Sequence, residues 1–81
     1  MGSQSSLHDK RHKALVVRLV EAREEAGLTQ EKLAKRMGRS QRFISYCETG
    51  ERRVDAIEFL DFCRALEKPP SWFIEGWPSG T

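Results

Sequence analysis

The 81-residue chain has two cysteines, three prolines and one tyrosine, and its longest apolar stretch, residues 14–20, is interrupted by Arg18. Each scarcity excludes something. Cys47 and Cys63 form neither a disulfide framework nor a CxxC metal pair. Both fall on apolar helix faces, where they read as small buried hydrophobes in a reducing cytoplasm. A membrane-spanning helix needs about 20 apolar residues, so no membrane role is expected. The opening MGSQSSLHDK is polar and has no apolar centre, so no secretory signal is read there. His8 and His12 stand four apart with no third ligand nearby, so no metal is expected. A glycine-rich phosphate loop and a nucleophile elbow are missing, and no histidine follows His12 to serve as a base. The chain is therefore not expected to be an enzyme or to carry a cofactor.

Charge is present in quantity but unevenly spread. Residues 1–53 hold 12 Lys/Arg and 7 Asp/Glu, net +5; residues 54–81 hold 2 and 5, net −3. A molecule with one basic and one acidic end can orient itself on a polyanion.

Apolar residues recur at helical spacing, and no segment sustains a period of two. The pattern predicts an all-α fold, a compact bundle of about five short helices over residues 10–75. Residues 1–9 form a flexible tail, native or left over from expression, and residues 76–81 form a C-terminal tail. The first helix, with Val16, Leu19, Val20, Arg23 and Ala26 on one stripe, ends at Gly27. Thr29 caps a second helix of about eight residues, with Leu33, Ala34 and Met37 inward, which Gly38 closes. Ser40 caps a third, residues 41–48, with Ile44 and Cys47 inward and Gly50 after its end. Asp55 and Glu58 make a capping-box-like start for a fourth, with Ala56, Phe59, Leu60, Cys63 and Leu66 inward. Pro69 and Pro70 stop it, and residues 71–74 form one further short turn.

Two short helices separated by Gly38-Arg39-Ser40 are the informative feature. A tight glycine turn between short helices is the helix-turn-helix signature, and its second helix can enter the major groove of DNA. The series Leu-Val-Glu-Ala-Arg (residues 19–23), Gly27-Leu28-Thr29-Gln30, Leu33-Ala34, Met37-Gly38, Ser40-Gln41, Ile44-Ser45, Glu48, Gly50-Glu51-Arg52 and residues 60–66 resembles the Cro/repressor-type helix-turn-helix domain, the XRE family. That resemblance implies a phage repressor-like fold with helix 3 as recognition helix, and double-stranded DNA as partner. It implies a phosphate contact for Gln30 and base reading for Gln41, with Arg42 and Tyr46 at further base-facing positions. Arg52 and Arg53 follow helix 3 where the family contacts phosphates. It also implies an ion pair between Arg23 and Glu48 that fastens helix 3.

The side-chain chemistry agrees: glutamine can bind adenine, and arginine guanine, with two hydrogen bonds each. Thr29, Arg39, Ser40 and Ser45 complete the candidate DNA-binding set. Phe43 either packs beside the sugar-phosphate backbone or a thymine methyl, or covers the edge of the core; the sequence leaves both open. Ile57, Phe62, Trp72, Phe73 and Trp77 are a candidate apolar patch for a homodimer or another protein partner, while the plainer reading is that Trp72 and Phe73 cap the core.

The expected function is a cytoplasmic transcription regulator of a bacterium or phage, a repressor that binds an inverted-repeat operator as a dimer. The alternatives are an antitoxin-like protein-partner module with accessory DNA binding, and a controller protein of a restriction-modification system.

Overall fold

The computed structural model describes residues 9–76. Trp77, His8 and most of both expected tails lie outside the described residues. Five helices follow in order: α1 (Lys10–Glu25), α2 (Gln30–Met37), α3 (Gln41–Thr49), α4 (Ala56–Leu66) and α5 (Pro70–Ile74). Among the described residues there is no strand. No helix among them is long and apolar enough to cross a membrane.

Local chemistry sets most of the boundaries. The Asp9 carboxylate accepts from the Arg11 amide at 2.7 Å, and the Thr29 and Ser40 hydroxyls accept from the Lys32 and Phe43 amides at 3.1 Å each. These caps satisfy N–H groups that have no partner within their own helix. At α4 the box is complete: Asp55 accepts from the Glu58 amide (2.7 Å) and Glu58 accepts from the Asp55 amide (3.1 Å). Helix α4 ends with Glu67 in the left-handed region (φ 57°), the one non-glycine residue with positive φ among those described. Pro70 does not lie beyond a break, as expected, but opens α5 as a first-turn residue. Its fixed φ suits that position, and its missing N–H would have had no partner there.

The core gathers Leu19 and Ala22 of α1, Leu33 and Ala34 of α2, Phe43, Ile44 and Cys47 of α3, Phe62, Cys63 and Leu66 of α4, and Phe73 of α5. Phe73 packs edge-on against Phe59 (centroids 5.4 Å apart) and Trp72 (5.0 Å). Trp72 is half-buried, with the Arg18 guanidinium 4.1 Å and the Lys68 ammonium 4.5 Å from its ring centroid. Arg18 also donates to the Trp72 carbonyl at 2.6 Å. The short α5 is thereby fastened to α1 by one side chain that both stacks and hydrogen-bonds.

The inward face of α4 departs from expectation. Leu60 is 50% exposed and Ala56 is exposed, whereas Phe62 is fully buried. The true stripe is Glu58, Phe62, Cys63 and Leu66. A charged residue at its start makes this face look polar, and the apolar side chains one step around the helix draw the reading away from it.

Candidate nucleic-acid interface

The link between α2 and α3 takes three residues. Gly38 adopts φ 67°, and the Arg39 amide reaches back to the Ala34 carbonyl (2.9 Å) while the Gly38 amide reaches Lys35 (3.2 Å). This is a Schellman closure, which uses carbonyls that the end of α2 would otherwise leave free. Ser40 then caps α3 at once, so the chain reverses with no slack.

Helix α3 has two contrasting faces. Phe43, Ile44 and Cys47 are buried. Gln41, Arg42 and Tyr46 are exposed and Ser45 is half-buried, so side chains able to donate or accept hydrogen bonds line the outward face. Burial pushes the Cys47 thiol up to about 11, so this cysteine is a packing residue rather than a reactive one.

Glu48 holds α3 to the body. Its carboxylate accepts from Arg23 Nε (2.7 Å) and Nη2 (3.0 Å) and from Gln30 Nε2 (2.9 Å). The third guanidinium nitrogen, Arg23 Nη1, donates to the Leu28 carbonyl at 2.7 Å. The side chains of Arg23 and Glu48 are 15% and 5% exposed, so the pair is largely removed from water. Gln41 Nε2 lies 3.5 Å from Gln30 Oε1, which continues the network to the outward face of α3.

A second carboxylate gathers the flanking arginines. Glu58 accepts from Arg52 Nη1 (2.6 Å) and Nη2 (2.8 Å) and from Arg39 Nη2 (3.1 Å). The Arg52 guanidinium foremost, then the Asp55 amide, pull its carboxyl down to about 2 against the effect of burial. Both arginines lie over the Phe43 ring, 4.0 Å (Arg39) and 4.9 Å (Arg52) from its centroid. Phe43 itself is 8% exposed and stacks on Phe62, with centroids 6.1 Å apart. Of the two roles left open for Phe43, the core edge is the one it occupies, because Phe62 and two arginines enclose the ring.

The remaining candidates fall into place around α3. Thr29 and Gln30 start α2, Arg39 and Ser40 precede α3, and Arg52 and Arg53 follow it. The members of the candidate apolar patch within the described residues differ in exposure. Phe62 and Phe73 are buried within the chain, Trp72 is covered by Arg18 and Lys68, and Ile57, at 69% exposed, is its one fully exposed described member. Phe62 and Phe73 fill the core, and Trp72 packs against it. Sequence reasoning missed the grip of Glu58 on two arginines, having read that residue as half of a cap. It also missed His12, whose Nε2 lies 3.3 Å from the Gly50 carbonyl at the end of α3. Glu58 left one signal, its spacing of four from Phe62 on a helix.

Comparison with known proteins matches this geometry. A family described as "Helix-turn-helix domain" matches residues 14–71. An XRE-family-like protein from Pseudomonas syringae pv. tomato str. DC3000 has a similar structure, with a TM-score of 0.80, 43% identity, and coverage of 94% of this chain and 93% of that one. The clp gene regulator ClgR from C. glutamicum is also similar, with a TM-score of 0.74, 25% identity, and coverage of 79% and 83%. No curated protein matches the chain.

Proposed function

The chain belongs to the XRE-type helix-turn-helix family, and on that premise we propose that it is a sequence-specific transcription regulator, a repressor that binds an inverted-repeat operator as a dimer. Residues 10–75 form the binding unit. The observation that carries this reading is the outward face of α3. Gln41, Arg42, Ser45 and Tyr46 stand clear of the core on a helix locked to the body from behind. A protruding helix with this chemistry suits the major groove, whose base edges carry a distinct donor and acceptor pattern for each base pair.

Gln41 and Arg42 read bases. The start of α2, with Thr29 and Gln30, receives a phosphate, because free amides and the positive end of the helix dipole converge there. Arg39, Arg52 and Arg53 contact phosphates beside α3. Two copies related by a two-fold axis place their recognition helices about 34 Å apart, one turn of DNA.

Selection of binding sites from random duplex DNA tests the reading. The selected site, titrated against the wild type and Gln41→Ala/Arg42→Ala, should be palindromic and lose most of its preference over random DNA in the variant. Each lost bidentate pair corresponds to about 1–3 kcal/mol of discrimination. Wild type and variant binding alike, with no sequence enriched, would refute the reading and direct attention to a protein partner instead.

A further inference from the structure

Glu58 touches neither the outward face of α3 nor any residue that would read a base. Yet it is buried, at 5% exposure of the whole residue, and every hydrogen bond to its side chain has a meaning. One comes from the Asp55 amide and completes the cap of α4. The other three come from Arg52 and Arg39. Those arginines enter the fold from opposite ends of α3, Arg39 just before its cap and Arg52 just after its last turn.

Their environment is half protein and half solvent. The side chains of Arg39 and Arg52 remain 36% and 40% exposed. Each guanidinium is fixed by the carboxylate and lies over Phe43. Each has more N–H groups than Glu58 consumes, since an arginine carries five donors in a rigid fork. Arg52 also donates to the Arg53 carbonyl at 2.9 Å. Two planar cations from chain segments at either end of one helix are thus held side by side on one carboxylate and one ring, with donors left over. Arranging them on contact would cost side-chain entropy.

We propose that Glu58 is a positioning residue for DNA binding: with the Phe43 ring as platform, it presets the Arg39 and Arg52 guanidiniums as an adjacent pair of phosphate contacts beside the recognition helix. The proposal rests on the DNA-binding reading above and names what organises the edges of that site.

The sign of one substitution separates positioning from simple electrostatics. Glu58→Gln removes a negative charge beside a surface that meets a polyanion. Charge alone predicts tighter binding, because one more uncompensated cation strengthens attraction to phosphate. Positioning predicts weaker binding, by roughly tenfold. Glutamine can still complete the α4 cap, and circular dichroism below the melting transition checks that the variant is folded.

The decisive measurement is a cycle on the selected duplex: wild type, Glu58→Gln, Arg39→Ala/Arg52→Ala, and all three together. The expected result is a loss in Glu58→Gln that disappears once both arginines are gone. Unchanged or tighter binding by Glu58→Gln overturns the proposal, as does an equal loss without the arginines. If Glu58→Gln does not fold, Arg39→Lys/Arg52→Lys decides. It keeps both charges but loses the planar fork, and unchanged affinity in that variant overturns the proposal. The Gln41→Ala/Arg42→Ala control keeps the two failures apart. Wild-type binding that depends on those residues leaves the DNA-binding reading standing even if Glu58 proves silent. A wild type that binds no duplex removes both.

Discussion

Glu48→Ala offers the sharpest test of how the recognition helix is held. The wild-type carboxylate receives three hydrogen bonds, two from Arg23 and one from Gln30, with its own side chain 5% exposed. The substitution leaves Arg23 largely buried with only the Leu28 carbonyl as partner, and it strips Gln30 of its acceptor. Removing one partner of a buried pair costs about 3–5 kcal/mol, chiefly because the remaining charge stays uncompensated. Arg23 is somewhat accessible, at 15%, so the lower end, about 3 kcal/mol, is expected here. For a domain of this size each kcal/mol shifts Tm by roughly 4–8 °C, so Tm should fall by about 12 °C or more. The assay is urea unfolding followed by far-ultraviolet circular dichroism, on wild type, Glu48→Ala, Arg23→Met and Arg23→Met/Glu48→Leu. The double variant should recover much of the loss, since apolar replacement of both partners removes the stranded charge. A Glu48→Ala loss below about 1 kcal/mol, the value of an exposed pair, would refute the reasoning. So would a loss of equal size when Arg23 is already methionine.

Two further outcomes follow from the titrating groups. Glu58 is held at about 2 by Arg52, the Asp55 amide and Arg39, against an ordinary value of 4.5. Its stabilising contribution is therefore complete above pH 4.5 and fades as pH falls towards 2, and is of order 2 kcal/mol once solvent access to the arginines is allowed for. Urea midpoints from pH 7 to pH 2 should fall less steeply for Glu58→Gln than for the wild type, and parallel curves would contradict this. Neither cysteine should react with an aromatic disulfide reagent in the native protein at pH 8, because both are buried and burial raises both thiols, Cys47 to about 11. A rapid stoichiometric reaction before unfolding would show that the packing around α3 and α4 is looser than described.

What could be read from the sequence was what is decided within a few residues. Thr29, Ser40 and the Asp55–Glu58 box cap their helices through bonds that span three positions. The tight turn at Gly38 needs positive φ, which glycine supplies without steric cost. The register of α4 was not legible in this way. Assigning Leu60 rather than Phe62 to the core follows from treating apolar residues as the inward ones, and here the inward face begins with a glutamate. The aromatic tail left two readings open for a related reason. Whether Phe73 faces the core or a partner depends on α5 folding back on α1, and that is decided by Arg18 and Trp72, which are 54 positions apart in the chain.

Glu48 and Glu58 together show why the net charge of +2 says little about this surface. Each acid subtracts one charge from the sum, yet each is buried behind α3 and bonded to side chains of the basic half. One joins α3 to Arg23 of α1 and Gln30 of α2; the other draws together arginines from the two ends of α3. Placed on the outward face, either acid would repel a phosphate. Placed behind it, each restricts cations and amides that would otherwise sample many rotamers in water. Binding then loses less entropy, at the expense of a weaker long-range field. The two effects are separable by salt. Long-range attraction is screened beyond about 8 Å at physiological ionic strength, whereas hydrogen bonds to base edges release no counterions and are screened much less. A surface built this way should therefore keep its preference for one sequence over random DNA at salt concentrations that abolish its general affinity for DNA.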